Sequence, residues 1–319
     1  MIFYTLRRLA YGAVVMALVT VLVFVIMRMV PGDAVSLQLQ ETGVSAEEAA
    51  AMRAQFGLDD PVWVQLWTWL AGAFQGDFGT SYYGGEPVLS LFLDRVPVTV
   101  QLGLLAMVIG SLLGIGLGIV AAVTRGSATD GAVRAFAVAF LSVPNFVVAL
   151  LLLTMFSLWF AWSPPLVYAG PGEDFGSWLQ QIAIPVFALG TGGMAAMARM
   201  TRSSMLESLG SDYIRAVRAK GAGNRTVIAK HALRNSTISV LTLLGLELAT
   251  VLGGTVIIEQ MFSIPGTGQL IYQAVLDRDY PVVVACTIFY AALFVVIIII
   301  IDLLYALVDP RIRTGRALS

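Results

Sequence analysis

The chain has 319 residues, of which 58% are hydrophobic and only 12% are charged, and its mean hydropathy is +0.84. Soluble domains usually have about a quarter of their residues charged, so this composition excludes an ordinary soluble protein and indicates a polytopic membrane protein. The net charge of -1 says nothing about partners, because acidic and basic residues are segregated along the chain. A single cysteine and a single histidine exclude an internal disulfide and any metal site that needs two of either residue.

The first predicted membrane span runs from Leu9 to Met27, directly after Arg7 and Arg8. It is long enough to cross a bilayer and longer than the apolar core of a signal peptide, so we expect it to be retained in the protein. Pro31-Gly32 then predicts a turn.

Residues 33–95 are predicted to form a soluble insertion, with nine acidic side chains against two basic ones. Ser45, placed just before Glu47 and Glu48, predicts the N-cap of a helix with acids in its first turn. Tryptophan and leucine then recur at helical spacing around Trp63 and Trp67. This second helix either lies at the membrane surface, which tryptophan favours, or packs within the insertion.

Five further apolar segments are predicted to cross the membrane: residues 96–124, 135–162, 175–198, 235–258 and 280–308. Gly110, Gly114 and Gly118 lie four residues apart on one face of the second span, so another helix can approach there closely. Pro144 predicts a kink in the third span. The fifth span is interrupted in sequence by Glu247 and the Gly253-Gly254 pair.

The loops between these spans alternate in charge. Arginine and lysine concentrate at the two termini, at residues 125–134 and at residues 199–235, whereas the other loops are acidic. By the positive-inside rule, both termini are cytoplasmic and the insertion is external. The predicted fold class is therefore an all-α polytopic membrane protein with six transmembrane helices. Its predicted parts are the tail and first span (1–32), the external insertion (33–95) and a five-helix core (96–319).

Residues 199–235 form a basic, polar segment between the fourth and fifth spans, here named the basic island. It contains only two acidic side chains, Glu207 and Asp212, and eight basic ones. The basic residues are Arg199, Arg202, Arg215, Arg218, Lys220, Arg225, Lys230 and Arg234. One interpretation is that such a segment is a topological anchor and nothing more. The length of the island instead favours a surface that meets another protein.

Two motifs of the basic island carry a family resemblance. One is Asp212-Tyr-Ile-Arg215-Ala216-Val-Arg-Ala-Lys220-Gly221, and the other, ten residues later, is His231-Ala-Leu-Arg234-Asn. They resemble the cytoplasmic coupling loop of ABC-importer permeases, in which an acidic-Ala-Ala triplet, a Gly and an Ile-x-Leu-Pro ending form a helix that sits on the ATPase. In this chain Arg215 replaces the acid, Val217 replaces the second Ala, His231 replaces the Ile and Arg234 replaces the Pro. We expect residues 212–220 to form a short helix that ends at Gly221, whose missing side chain permits the turn.

Those departures are themselves similar to the dipeptide, oligopeptide and nickel branch of the family. Three other segments extend the resemblance over almost the whole chain: Pro31-Gly32-Asp33, residues 76–81, and the Glu259-x-x-Phe-x-x-Pro-Gly-x-Gly268 loop. The resemblance implies the permease subunit of an ATP-driven importer that moves peptides or a related small solute inward by alternating access. Its predicted location is the bacterial inner membrane.

The resemblance also implies the partners and the coupling residues. We expect a second homologous permease subunit, two ABC ATPase subunits and an extracytoplasmic substrate-binding protein, together with membrane lipid and no nucleic acid. ATP and Mg²⁺ are expected on the ATPases, and no cofactor on this chain. The residues expected to couple to the ATPase are Asp212, Arg215, Ala216, Lys220, Gly221, His231 and Arg234.

No catalytic or metal site is expected in this chain. Both lysines lack the following Ser or Thr of a P-loop, and no His-Glu-x-x-His motif occurs. Glu247 and Asp302 are the only acids well inside apolar spans, where charge is costly. A proton-coupled secondary transporter that uses both is the alternative, although it leaves the basic island unexplained.

The predicted translocation-pathway residues are Glu247, Gly253, Gly254 and Glu259. Asp302 is instead expected to pair with a basic group near the cytoplasmic interface, and Cys286 to act as a small packing residue. Nothing in the sequence selects among dipeptide, oligopeptide, glutathione-like peptide and nickel complex as the transported solute.

Overall fold

The computed structural model describes residues 2–29, 32–42 and 45–308. Most of these residues are helical, and none of them belongs to a β-strand; Thr80 and Pro87 form an isolated bridge. The helices are α1 (Ile2–Met29), α2 (Ala34–Thr42), α3 (Ala46–Gln55), α4 (Val62–Phe74), α5 (Val88–Val123), α6 (Ala128–Ser142), α7 (Asn145–Phe160), α8 (Phe175–Gly210), α9 (Asp212–Ala219), α10 (Asn224–Thr226), a π-helix (Val227–Ala232), α11 (Leu233–Met261), α12 (Thr267–Leu276) and α13 (Tyr280–Val308).

Four apolar stretches within the described residues are long enough to span a membrane: Leu9–Leu37, Val88–Val123, Phe175–Gly210 and Tyr280–Ile297. The bent pair α6 and α7 makes a fifth if it is one span. The predicted all-helical membrane fold is thus confirmed, while the count of six spans stays a prediction. Helix α11 covers the predicted fifth span and runs unbroken through Gly253-Gly254.

The predicted third span is broken rather than kinked. Helix α6 ends at Ser142, α7 begins at Asn145, and their axes differ by 105°. Pro144 lacks an N–H and excludes its predecessor from the helical region, and Val143 is accordingly extended (φ -100°, ψ 124°). Pro144 therefore causes a larger change of direction than the predicted kink.

The chain forms two compact units. The first comprises Met1–Val98 and Pro265–Val296, and the second comprises Thr99–Ile264 and Ile297–Ser319. The predicted N-cap of α3 is present in the first unit, and the structure shows it as a full capping box: the Ser45 hydroxyl accepts from the Glu48 N–H, and the Glu48 carboxylate accepts from the Ser45 N–H. Trp63 and Trp67 on α4 are each 74% exposed, which favours the membrane-surface alternative for that helix.

The core of the first unit joins the insertion to α12 and α13. Phe92 stacks on Phe289 with ring centroids 4.3 Å apart, and Phe78 contacts the same ring. Cys286 is fully buried in this core, as expected of a packing residue. At the start of α13, the Ser81 hydroxyl donates to the buried Asp279 carboxylate at 2.5 Å.

The second unit is built around α8, which packs against α6, α7 and α11. Small residues let α5 approach it closely. A Cβ added at Gly110 would lie 2.6 Å from the carbonyl oxygen of Gly190, and one at Gly118 would lie 2.6 Å from the Thr201 Cβ. The glycine face predicted on the second span is therefore a helix-packing face, and its partner is α8.

Candidate functional site

The basic island begins inside a membrane-spanning helix. Helix α8 extends past the predicted end of the fourth span, through Met205, to Gly210. Ser211 then caps α9, since its side chain accepts from the Ile214 N–H at 3.4 Å, and Asp212 lies in the first turn. The predicted short helix of the coupling segment is thus present over Asp212–Ala219.

The end of α9 is set by glycine. Lys220 is the C-cap, and Gly221 has a φ of +85°, a conformation that costs other residues energy. The chain therefore turns away from α9 at the position where the sequence predicted the helix to stop.

A single buried side chain anchors α9, and most of its other side chains are exposed. Ile214 is fully buried, whereas Arg215, Ala216 and Lys220 are exposed. Ala216 and Lys220 lie four residues apart and share a face. Arg215 forms an ion pair with Asp212 on the exposed surface. The helix thus presents a small residue among cations to its surroundings.

The π-helix holds the second motif against α9. The Tyr213 hydroxyl and the His231 Nδ1 are 2.7 Å apart. Ala232 is buried against Ala122 and Met205, which fixes the segment on α5 and α8. Arg234, in contrast, is exposed. Sequence reasoning did not foresee the π-helix, a form that often occurs at functional sites, because its pattern does not differ from that of an α-helix.

Most cations of the basic island face outward, but one turns inward. Arg202 donates to both carboxylate oxygens of the buried Asp130, at 2.6 and 2.9 Å. The outward set consists of Arg199, Arg215, Arg218, Lys220, Arg225, Lys230 and Arg234. A surface of this charge suits acidic side chains and carbonyl groups of a partner. Among the described residues, no group of three or more potential ligands could hold a metal ion.

A second feature is a cavity of about 430 Å³ at the break between α6 and α7. Half-buried Glu247 on α11 and Asn145 at the start of α7 line it, together with Gly192 and Gly193 on α8. Asn145 and the glycines were not singled out in the sequence, although a polar residue directly after an intraspan proline was an available signal.

Only two of the four predicted pathway residues line this cavity. Glu247 and Gly254 line the cavity, while Gly253 is exposed elsewhere. Glu259 is fully buried and accepts a hydrogen bond from the Thr99 hydroxyl at 2.7 Å. The side chain of Asp302 lies outside the described residues.

Comparison of the sequence with known proteins identifies the family of this chain. The sequence model of the binding-protein-dependent transport system inner membrane component matches residues 114–314, and the model of the N-terminal part of such membrane components matches residues 1–103. A peptide transport system permease protein of Brucella abortus (strain 2308) is 40% identical over 97% of this chain and 98% of its own length. The oligopeptide transport system permease protein AppB of Bacillus subtilis (strain 168) is 37% identical over 97% of this chain and 99% of its own.

Solved structures agree at the level of the fold. An inward-facing MetNI methionine ABC transporter chain superposes with a TM-score of 0.56 at 21% identity, covering 69% of this chain and 97% of that one. A chain of an amino acid ABC transporter gives a TM-score of 0.51 at 16% identity, covering 70% of this chain and 94% of the other. The chain therefore belongs to the binding-protein-dependent transport system inner membrane component family, as a multi-pass permease subunit of an ABC importer in the bacterial inner membrane.

Proposed function

We propose that this permease subunit imports small peptides or closely related solutes, and that it takes its energy from partner ATPases through α9. The observation that carries the coupling role is the exposed Ala216 on a capped helix anchored by Ile214. The peptide substrate is supported by the names of relatives that match nearly the whole chain. The family assignment favours this function over a proton-coupled secondary transporter.

Helix α8 supplies a physical route for coupling. It is 36 residues long and continuous, hence roughly 54 Å at 1.5 Å per residue. Gly192 and Gly193 form part of the cavity wall, and Gly210 lies next to the cap of α9. A displacement of α9 by an ATPase is passed along one rigid helix to the cavity.

The proposed complex has a second homologous permease subunit, two ABC ATPase subunits and an extracytoplasmic substrate-binding protein. ATP and Mg²⁺ bind to the ATPases, and this chain performs no catalysis. ATP binding favours an outward-open state that receives the solute, and hydrolysis returns the subunits to an inward-open state. Arg215, Lys220 and the outward-facing Arg234 contact acidic or carbonyl groups of the ATPase.

We also propose six spans with both termini cytoplasmic. Four stretches and the α6–α7 pair supply five of them, and the 29-residue α11 supplies the sixth. The charge of the loops supports the orientation, because basic residues fall on the side of the basic island and the insertion is acidic. The termini and the Arg311–Arg316 cluster lie outside the residues whose side chains are described.

The coupling role is tested with Ala216→Trp and Gly221→Val. A Trp at position 216 overpacks the joint with the ATPase, which costs about 1–3 kcal/mol, and Val at 221 opposes the positive φ. Both variants are expected to lose the ATPase subunits on co-purification, or to lose substrate-stimulated ATP hydrolysis. Ala51→Trp, at an exposed position on α3, is the control. Wild-type behaviour of both island variants would show that α9 is only a topological anchor.

A further inference from the structure

We infer that the cavity beside Glu247 receives a protonated amino group of the transported solute, with the Glu247 carboxylate as its counter-charge. This inference rests on the proposed function, because it concerns the solute that the importer moves. It extends that function by assigning a recognition element to the permease subunit itself.

The first argument is electrostatic. Glu247 is the one acid among the cavity-lining residues, and no basic side chain lines the cavity. None of the described basic side chains forms an ion pair with it. A carboxylate within a membrane span is costly unless it faces water or a charge partner. A mobile cationic ligand supplies that partner only while it passes through the cavity.

The second argument is the set of neighbouring acceptors. Asn145 Nδ2 donates to the Leu189 carbonyl at 3.4 Å, which leaves the Asn145 Oδ1 as an acceptor at the cavity wall. The Thr250 hydroxyl donates to the Leu246 carbonyl at 3.2 Å and keeps its lone pairs. An ammonium group has three N–H donors and no acceptor, so it matches a wall of acceptors. A guest carboxylate would find like charge instead.

The third argument is the glycine surface that faces these acceptors. A Cβ at Gly193 would lie 3.0 Å from Glu247 Oε2, and one at Gly192 would lie 3.3 Å from Asn145 Oδ1. Two consecutive residues of α8 without side chains therefore make room for the carboxylate and the carboxamide. Larger residues would fill that space and displace both groups.

The size of the cavity limits what enters it. A volume of about 430 Å³ is at the small end of the range for ligand pockets. It accommodates the amino terminus or one amino-bearing side chain of a short peptide rather than a whole oligopeptide. The inferred ligand group is therefore a primary ammonium, from either source.

The first experiment measures ATP-dependent uptake by the complete transporter. The probes are radiolabelled tri-alanine and N-acetyl-Ala-Ala-Lys, which carry the ammonium at the amino terminus and on the side chain respectively. We expect Glu247→Gln to slow uptake of at least one probe by about tenfold, the effect of losing one charged hydrogen bond. Glu247→Asp keeps the charge and is expected to retain most of the rate. Glu47→Gln, on the exposed surface of α3, is the control.

The glycine surface has its own pair of variants. Gly193→Ala is expected to slow uptake of the same probe as Glu247→Gln, because its methyl group displaces the carboxylate. Gly116→Ala is the matched control, since a Cβ there meets nothing within 4 Å. A loss with tri-alanine assigns the amino terminus, and a loss confined to the lysine peptide assigns the side chain. Unchanged uptake of both probes by Glu247→Gln overturns the inference.

A second experiment needs no substrate. Thr250→Cys places a thiol on the cavity wall, in a Cys286→Ala background. The solubilised complex is treated with the cationic reagent methylthiosulfonate ethyltrimethylammonium or with its anionic sulfonate counterpart. Adding Glu247→Gln is expected to lower the cation-to-anion ratio of reaction rates by about tenfold. An unchanged ratio, or slow reaction with both reagents because a partner subunit covers the cavity, overturns the inference.

These results separate the inference from the proposed function. If the wild-type transporter imports neither probe and α9 variants retain full coupling, the proposed function fails. If the wild type imports tri-alanine and the α9 variants uncouple it, but Glu247→Gln behaves like the wild type toward both probes, only the ammonium site fails.

Discussion

The close contact between α5 and α8 makes Gly114 the most sensitive position to test. An added methyl group would lie 2.6 Å from the Met197 Cβ and closer still to the carbonyl oxygen of Met194. Neither atom can swing aside by rotating a side chain, since one is backbone and the other is fixed to it. The substitution Gly114→Ala therefore forces the two helices apart.

The magnitude follows from this geometry. Ordinary van der Waals contact begins near 3.4 Å, so clearing the nearer atom, the Met194 oxygen, requires the helices to separate by about 1 Å against a close-packed interior. Overpacking of this kind costs about 1–3 kcal/mol, and the upper part of that range applies because the obstructing atoms are rigid. Replacing Gly by Ala inside a helix returns about 0.5–1 kcal/mol. The expected net loss is about 2 kcal/mol.

Gly116→Ala is the matched control, two residues away on the same helix. Its methyl group enters open space, so only the gain in helix propensity of about 0.5–1 kcal/mol remains. We expect the apparent thermal midpoint of the solubilised complex to fall for Gly114→Ala and to stay or rise for Gly116→Ala. A midpoint for Gly114→Ala at or above that of Gly116→Ala would refute the close approach of α5 and α8.

Two further predictions concern orientation and pH. In a Cys286→Ala background, an impermeant thiol reagent added to intact cells is expected to label Asp77→Cys and not Arg218→Cys; labelling at 218 from outside contradicts the topology. Burial raises the pKa of the Asp279 carboxyl above its ordinary value of 3.8, despite the hydrogen bond from Ser81. The folded state therefore favours the protonated Asp279 carboxyl. The contribution of this group to wild-type stability is complete below pH 3.8 and is lost as the pH rises through the folded-state pKa. Asp279→Asn is expected to remove this fall, so its thermal midpoint relative to the wild type is higher at about pH 7 than at about pH 4; an equal difference at both pH values contradicts it.

Several structural features could be predicted from local sequence because their causes are local. The N-cap at Ser45 and the stop at Gly221 depend on a few neighbouring residues, and both are present. The apolar stretches and the glycine spacing on α5 are likewise periodic patterns along one helix. The family resemblance in the basic island could be recognised for the same reason, because its motifs are short and contiguous.

Other features were decided only when distant segments packed together. The glycine face of α5 shows that some helix approaches, but only the structure identifies it as α8. Arg202 belongs to the basic island by sequence, yet it pairs with Asp130, which lies 72 residues earlier. Pro144 predicts a bend from the sequence, whereas the size of that bend, 105° between α6 and α7, is known only from the structure.

The sequence alone therefore determined the membrane-spanning class, the basic island and its short helix, because hydrophobicity, charge and capping act over one turn or one span. Only the tertiary structure placed Glu247 and Gly254 on one cavity with Asn145, and placed Glu259 in a buried hydrogen bond with Thr99. The physical reason is that the surroundings of a side chain inside a membrane protein are set by neighbouring helices. No pattern along a single helix records which of them its polar residues will meet.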